Sequence, residues 1–186
     1  MNTWEGKLVR LRALEPEDWE VHYEWNHDSD MPRNLHYIWF PQSRAAVKKW
    51  TEEGAVQRPV GDNVDLVIET LAGQHVGTVG VQNADTRNGT FKYGIAVLRE
   101  HQRKGYASEA ILILLRHYFN HLRYQKVIAT VYSFNEASMK LHERFGFQLE
   151  GRLRRMIYSG GQYHDELIYG MTDDEFHARH MPKLAT

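Results

Sequence analysis

The sequence predicts an α/β protein with a mixed sheet, and three observations support this class. Residues 65–98 contain three strand-like segments that are separated by turn signals at Ala72-Gly73-Gln74 and Asn88-Gly89. Residues 90–132 follow as strand, helix and strand, the pattern of a parallel pair with a helical crossover. Two further helix-start signals precede residue 56, so helices are expected to cover the sheet.

The N-terminal third predicts one strand and two helices. Residues 7–14 suit a strand, and Pro16 followed by two acids marks the start of a helix that runs to about Trp25. Ser43 is a plausible cap for a second helix over residues 43–53. The aromatic stretch between them, residues 33–41 with Trp39, is interpreted either as a loop that covers the core or as a wall of a substrate pocket.

The central segments predict strands at 65–70, 75–82, 90–98 and 126–132. Gly94 lies inside the third of these, where a glycine marks a bulge or a close backbone approach, or simply aids packing. A helix over residues 108–122 is predicted by an apolar face that recurs at helical spacing and comprises Ile111, Leu112, Leu115, Tyr118 and Phe119.

Composition excludes several classes of function. The chain has 186 residues, which suits one domain over residues 1–186 with a core at about 5–176. Its 23 basic and 24 acidic residues give a formal charge of -1, so we expect no nucleic-acid or membrane partner. The absence of cysteine excludes disulfides, cysteine-based zinc sites and a thiol nucleophile, and it suits a cytoplasmic protein. No signal peptide is expected, and the six apolar residues from Ala110 fall short of the roughly 20 that span a bilayer.

Residues 101–110, H-Q-R-K-G-Y-A-S-E-A, place cations and a glycine directly before the 108–122 helix. Backbone N–H groups at a helix start have no intrahelical partners, so such a loop can bind a pyrophosphate. Gly105 would allow close approach, and Arg103 and Lys104 would add charge. The alternative is a solvated basic turn, since neither common nucleotide-binding glycine motif is present.

Two motifs together resemble the GNAT superfamily of N-acetyltransferases. Residues 102–107, Q-R-K-G-Y-A, match its Q/R-x-x-G-x-G/A signature between the fourth strand and the third helix. Asn135 and Ser138, followed by L-H-E-R-F-G-F at 141–147, resemble its N-x-x-S and G-F block after the fifth strand. The resemblance covers nearly the whole chain and points to the branch of ribosomal-protein alanine and spermidine acetyltransferases.

This resemblance implies a GNAT fold with a twisted mixed sheet splayed between strands 4 and 5, where the pantetheine arm of acetyl-CoA enters. Main-chain groups around Val97 and Leu98 would pair with pantetheine and polarise the thioester carbonyl. Asn135 would contact pantetheine and could also cap the next helix. The implied cofactor-binding residues are Val97, Leu98, Gln102, Arg103, Lys104, Gly105, Tyr106, Ala107, Ser108 and Asn135.

The implied reaction is direct attack of a primary amine on the thioester. The candidate proton donors to the CoA thiolate are Ser138 and His142, and His142 stands where many relatives carry a tyrosine. The alternatives are that Ser138 is only a polar residue of a first helical turn and that His142 is a structural or solvent-facing histidine on a helix face. No base is assigned, because Glu69, Asp65 and Glu150 are interpreted as ordinary surface or ion-paired carboxylates. No metal is expected, although His177 and His180 could share one helical face.

The predicted function is therefore acetyl-CoA-dependent transfer to a protein N-terminus, a polyamine or another small amine. The alternatives are a non-catalytic acyl-CoA-binding or sensor module, and a transferase that uses another acyl-CoA such as succinyl-CoA. In the branch that this chain resembles, the hairpin at residues 158–163 can join a homodimer contact or lie at the edge of the substrate site, and the alternative is a plain surface hairpin. Four acids could build a pocket for a cationic acceptor: Asp28, Asp30, Asp62 and Asp65.

Overall fold

A computed structural model describes residues 2–28 and 40–181 and contains a seven-stranded mixed sheet. Its strands are β1 Val9–Arg12, β2 Val64–Thr70, β3 His75–Asp85, β4 Thr90–Val97, β5 Lys126–Tyr132, β6 Gln148–Ser159 and β7 Gln162–Thr172. They are hydrogen-bonded in the order β1-β2-β3-β4-β5-β7-β6. The helices are α1 Trp19–Trp25, α2 Arg44–Ala55, α3 Tyr106–Asn120, α4 Glu136–Phe145 and α5 Asp173–His180. The predicted α/β class is confirmed, whereas Asp30 and Trp39 lie outside the described residues.

The chain divides into two compact units, residues 1–80 with 95–113 and residues 81–94 with 114–186. Strands β3 and β4 and helix α3 each begin in one unit and end in the other. The expectation of one domain over residues 1–186 therefore stays a prediction.

The first unit has an apolar core formed by alternating strand residues and by the start of α3. Strand β1 pairs antiparallel with β2, and its burial alternates so that Val9 and Leu11 are buried. Ser43 Oγ accepts a hydrogen bond from the Ala46 N–H at 3.1 Å, so the predicted helix cap is confirmed. The buried apolar residues of this unit include Val9, Leu11, Val67, Ile68, Val76, Val79, Ala110, Ile111 and Ile113.

Asp18 is the centre of a buried charge cluster in this unit. Its carboxylate accepts two hydrogen bonds from Arg12, at 2.7 and 2.8 Å, and a third from His75 Nδ1 at 3.0 Å. Arg12 Nε also donates to Glu69 at 2.6 Å, and Glu69 pairs with Arg10. Hydrogen bonds to Arg12 and His75 outweigh burial and hold the pKa of Asp18 far below its usual range.

The second unit is built on β5, which pairs antiparallel with β7 along its full length, from Lys126↔Thr172 to Tyr132↔Glu166. The Phe91 ring stacks on Tyr118 with centroids 4.4 Å apart. Helix α5 begins with a capping box between Thr172 and Glu175. The buried residues of this unit include Phe91, Leu114, Leu115, Tyr118, Val127, Tyr169, Met171 and Phe176.

The parallel pairing of β4 with β5 is short. It covers only Thr90↔Lys126, Phe91↔Val127 and Lys92↔Ile128, although β4 continues to Val97 and β5 to Tyr132. Beyond Ile128, β5 has the β7 ladder on one edge and no ladder to β4 on the other. Beyond Ile128, backbone groups on that edge are therefore not satisfied by a ladder to β4.

Among the described residues, no helix has both the length and the apolar character needed to cross a membrane.

His22 on α1 predicts a pH dependence of stability. Burial, and then the nearby His75, lower the pKa of His22 to about 4. An unfolded histidine takes up its proton near pH 6.5, so between about pH 6.5 and pH 4 the unfolded chain binds more protons than the folded one. Stability therefore falls as the pH drops through this window.

The His22→Phe variant should lose less stability than the wild type between pH 7 and pH 5, measured by urea unfolding at both values. Because the histidine is only half-buried, we expect the difference to be about 1 kcal/mol. Burial also lowers the pKa of His142, so part of the pH dependence should remain in the variant. Identical pH dependence in the two proteins would contradict the assignment to His22.

Candidate active site

The loop before α3 has a backbone conformation that suits an anion. Arg103 and Gly105 both have positive φ, at 62° and 87°, and α3 begins at Tyr106. The first helical bond there runs from the Glu109 N–H to the Gly105 carbonyl at 3.1 Å. Within the described part of the chain, the N–H groups of residues 106–108 have no backbone acceptor. Left-handed residues beside free helix N–H groups form a concave cradle of donors.

The cradle is exposed and positively charged. Gln102, Arg103, Lys104 and Gly105 are all exposed, whereas Tyr106, Ala107 and Ser108 are half-buried. Arg103 and Lys104 have no ion pair with any described residue. Lys104 Nζ lies 3.5 Å from His101 Nδ1, which is the limit of hydrogen-bond distance. Free guanidinium and ammonium groups beside free N–H groups fit the diphosphate of a nucleotide.

Main-chain groups at the end of β4 are divided between two edges. The Leu98 N–H donates to the Val76 carbonyl at 3.0 Å, and its own carbonyl accepts from the His101 N–H at 2.8 Å. Gln102 Nε2 donates to the Val97 carbonyl at 3.0 Å. Because neighbouring strand residues point their backbone groups to opposite edges, the Val97 N–H faces away from β3. The backbone groups of Leu98 are therefore already used, and that N–H is the better donor for a ligand.

Glu109 ties the N-terminal segment to the cradle helix. Its carboxylate accepts hydrogen bonds from the N–H groups of Lys7, Leu8 and Val9 at 2.8, 2.6 and 2.8 Å. A side chain at Gly6 would lie 2.5 Å from this carboxylate, so the glycine permits the approach. The three bonds offset the negative charge that Glu109 brings near the cradle.

In the second unit, α4 displays the residues of the second motif. Asn135 caps the helix, since its Oδ1 accepts from the Ser138 N–H at 3.1 Å, which leaves its amide NH₂ available. Ser138 is half-buried, and its Oγ lies 3.3 Å from His142 Nδ1. The structure thus brings both predicted proton donors into contact.

His142 is buried, at 3% exposure, and both of its ring nitrogens have partners. Nδ1 lies 2.7 Å from the Ser138 carbonyl, and Nε2 lies 2.7 Å from the Tyr93 hydroxyl. Burial lowers the pKa of His142 and raises that of Tyr93, so both side chains are neutral at pH 7. Sequence reasoning missed Tyr93 as a site residue.

The three carboxylates considered as bases have distinct surroundings. Glu69 pairs with Arg10 and Arg12, and Glu150 pairs with Lys126 at 2.7 Å, so the ion-paired interpretation is confirmed for these two. Asp65 lies against Gly80, where a side chain would clash with its carboxylate. Burial raises the pKa of Asp65, and no contact among the described residues links it to the cradle.

A side chain at Gly94 would meet no atom within 4 Å, so neither packing nor a close protein neighbour requires this glycine. Across residues 2–28 and 40–181, no group of three or more histidine, aspartate and glutamate side chains could hold a metal ion.

Comparisons with known proteins agree with the motifs. A family model for the acetyltransferase (GNAT) domain matches residues 9–148. The chain is 38% identical to the SPbeta prophage-derived uncharacterized N-acetyltransferase YokL of Bacillus subtilis, over 95% of this chain and 97% of that protein. It is 27% identical to the spermidine N(1)-acetyltransferase of Vibrio cholerae serotype O1, over 84% and 88% of the two chains.

The same fold occurs in the crystal structure of spermidine N-acetyltransferase from Vibrio cholerae in complex with CoA and spermine, with a TM-score of 0.77 and 21% identity over 90% and 97% of the two chains. The family and the branch expected from the two motifs are both confirmed. The chain belongs to the GNAT family, and it is an acetyltransferase.

Proposed function

We propose that this acetyltransferase uses acetyl-CoA to acetylate a primary amine. The observation that carries the proposal is the cradle, in which Arg103 and Gly105 adopt positive φ before the free N–H groups of residues 106–108. These donors, with Lys104, would bind the pyrophosphate of the co-substrate, and Gln102 would hold the end of β4. The cysteine-free composition favours a cytoplasmic enzyme.

The unpaired edge of β5 supports a role for the pantetheine arm. Its amide groups would pair with strand backbone that has no ladder beyond Ile128, and the Asn135 amide would add a further donor. The Val97 N–H would polarise the thioester carbonyl as charge develops on its oxygen.

The chemistry requires no covalent enzyme intermediate. The neutral amine attacks the carbonyl carbon, a C–N bond forms, and the C–S bond breaks with its electron pair on sulfur. The amine nitrogen then loses a proton to water, and the thiolate takes up a proton from water, which leaves neutral amide and CoA thiol. Ser138 would donate a hydrogen bond to the sulfur. His142, one turn later on α4, contacts the Ser138 hydroxyl.

The β6–β7 hairpin supports a homodimer. It exposes several large apolar side chains on a long edge strand and its partner: Leu149, Leu153, Met156, Tyr158 and Tyr163. An exposed apolar edge of this kind is a common interface between copies of one chain.

Turnover with a panel of amines tests the proposed function. We expect CoA release and an acetylated product with acetyl-CoA and at least one amine among spermidine, peptides with a free N-terminus, amino acids and aminoglycosides. Replacing acetyl-CoA by succinyl-CoA should lower kcat/KM, because the larger acyl group must fit the same thioester site. Tight CoA binding without turnover of any amine would favour a sensor module instead.

Gly105→Ala tests the cradle, with Gly73→Ala as a matched control. Both glycines have φ of 87°, so each alanine should cost about 1 kcal/mol of stability for the same backbone strain. The new Cβ at Gly105 would also lie 3.2 Å from Leu8 Cδ1, which belongs to an exposed side chain that can shift, whereas the Cβ at Gly73 would meet no atom within 4 Å. Only Gly105 belongs to the cradle, and the tight β2–β3 turn at Gly73 is remote in sequence from it. Calorimetric titration should show CoA affinity reduced about tenfold or more in Gly105→Ala and unchanged in Gly73→Ala. Equal affinities in the two variants would contradict the pyrophosphate assignment.

A further inference from the structure

Three groups in the second unit form a hydrogen-bonded chain whose direction follows from their chemistry. The Ser138 carbonyl can only accept, so His142 Nδ1 must carry the proton that bridges their 2.7 Å contact. A neutral imidazole has one N–H, so Nε2 is a lone pair. The Tyr93 hydroxyl, 2.7 Å away, therefore donates to Nε2.

This direction also fixes the hydroxyl of Ser138. Its Oγ lies 3.3 Å from a nitrogen that already carries a proton, so Oγ can only accept from that nitrogen. The Ser138 O–H is then free to point away from His142. Ser138 is half-buried on the first turn of α4, so this hydroxyl can reach a ligand.

We propose that Tyr93 is a positioning residue for acetyl transfer: by donating to His142 Nε2 it acts with the Ser138 carbonyl to hold the tautomer that keeps the Ser138 hydroxyl proton free for the departing CoA sulfur. This inference rests on the proposed function, because it concerns the thiolate of that reaction. Without the Tyr93 hydroxyl, only the Ser138 carbonyl favours the proton on Nδ1, so the fraction of imidazole with its proton on Nε2 rises. The bare Nδ1 would then accept the Ser138 proton and compete with the sulfur for it.

The surroundings of the imidazole support a positioning role rather than proton donation by Tyr93. Tyr93 is only 6% exposed, and burial raises its pKa well above 10, so it keeps its proton. The His142 ring stacks on Tyr169 at 5.7 Å, and the Tyr169 hydroxyl donates to Glu143 at 3.0 Å. Burial, with Glu143, raises the pKa of Tyr169 to about 12. The Phe147 ring packs edge-on against the His142 ring, with centroids 5.1 Å apart, and Phe147 does not titrate.

The chain offers a matched pair of variants. Tyr93→Phe removes the hydroxyl that contacts Nε2, whereas Tyr169→Phe removes a hydroxyl beside the same ring that contacts neither nitrogen. We expect kcat to fall about tenfold in Tyr93→Phe with KM for acetyl-CoA unchanged, and to stay within about twofold in Tyr169→Phe. Equal kcat values in the two variants, or a change in KM alone, would overturn the positioning role.

A double-mutant cycle tests whether Tyr93 acts through His142. On a His142→Gln background, Tyr93→Phe should change kcat by less than about twofold, since the imidazole that it positions is gone. A full tenfold loss on that background would mean that Tyr93 acts independently, and the inference would be wrong.

Long-range ¹H–¹⁵N NMR of the wild-type imidazole tests the tautomer without any activity measurement. The expected signature is a protonated Nδ1 and an unprotonated Nε2, with the Nε2 signal shifted in Tyr93→Phe and unchanged in Tyr169→Phe. A proton on Nε2 in the wild type would overturn the inference even if the enzyme is active. The expected tautomer in a protein that acetylates no amine would instead count against the proposed function.

Discussion

The early end of the β4–β5 ladder is the constraint on which the site depends. Parallel pairing stops after Lys92 and Ile128, while both strands continue. Tyr93 is the first residue past that point, and its hydroxyl contacts His142 Nε2. The continuing edge of β5 keeps backbone groups without a ladder, and such groups need a partner or water. The end of this ladder thus leaves β5 with a polar edge beyond Ile128.

The charge distribution explains how a near-neutral chain can hold a local anion site. Many of its charges are consumed in specific pairs, such as Arg12 with Asp18 and Lys126 with Glu150. Glu109, the acid nearest the cradle in sequence, is occupied by three N–H groups of the N-terminal segment. Arg103 and Lys104 remain without an ion pair among the described residues. Net charge bears on the long-range field of a protein, but it says nothing about where unpaired cations lie.

Sequence patterns predicted the elements and the local motifs well, because both depend on neighbours in the chain. The strand at Lys126–Tyr132 has the predicted bounds, and the caps at Ser43 and Asn135 follow from side chains three residues away from their targets. The contacts that organise the site join residues far apart: Tyr93 with His142, His75 with Asp18, and Glu109 with Leu8. Periodicity carries no information on such pairs, so Tyr93 gave no signal. The sequence signal at Glu109 is weak, because an acid in the first turn of a helix is common and does not identify a distant partner.

Thermal unfolding with CoA ligands tests the central claim most directly, because it needs no knowledge of the amine. Acetyl-CoA and CoA at about 100 times the dissociation constant should each add roughly 2.7 kcal/mol to the free energy of unfolding. A pantetheine fragment without the pyrophosphate should add much less, since the cradle formed by Arg103, Gly105 and the start of α3 would be empty. Stabilisation by the intact CoA species alone is the result that the structure predicts. The same midpoint temperature of unfolding with and without acetyl-CoA would contradict the assignment of the cradle to pyrophosphate and the function that rests on it.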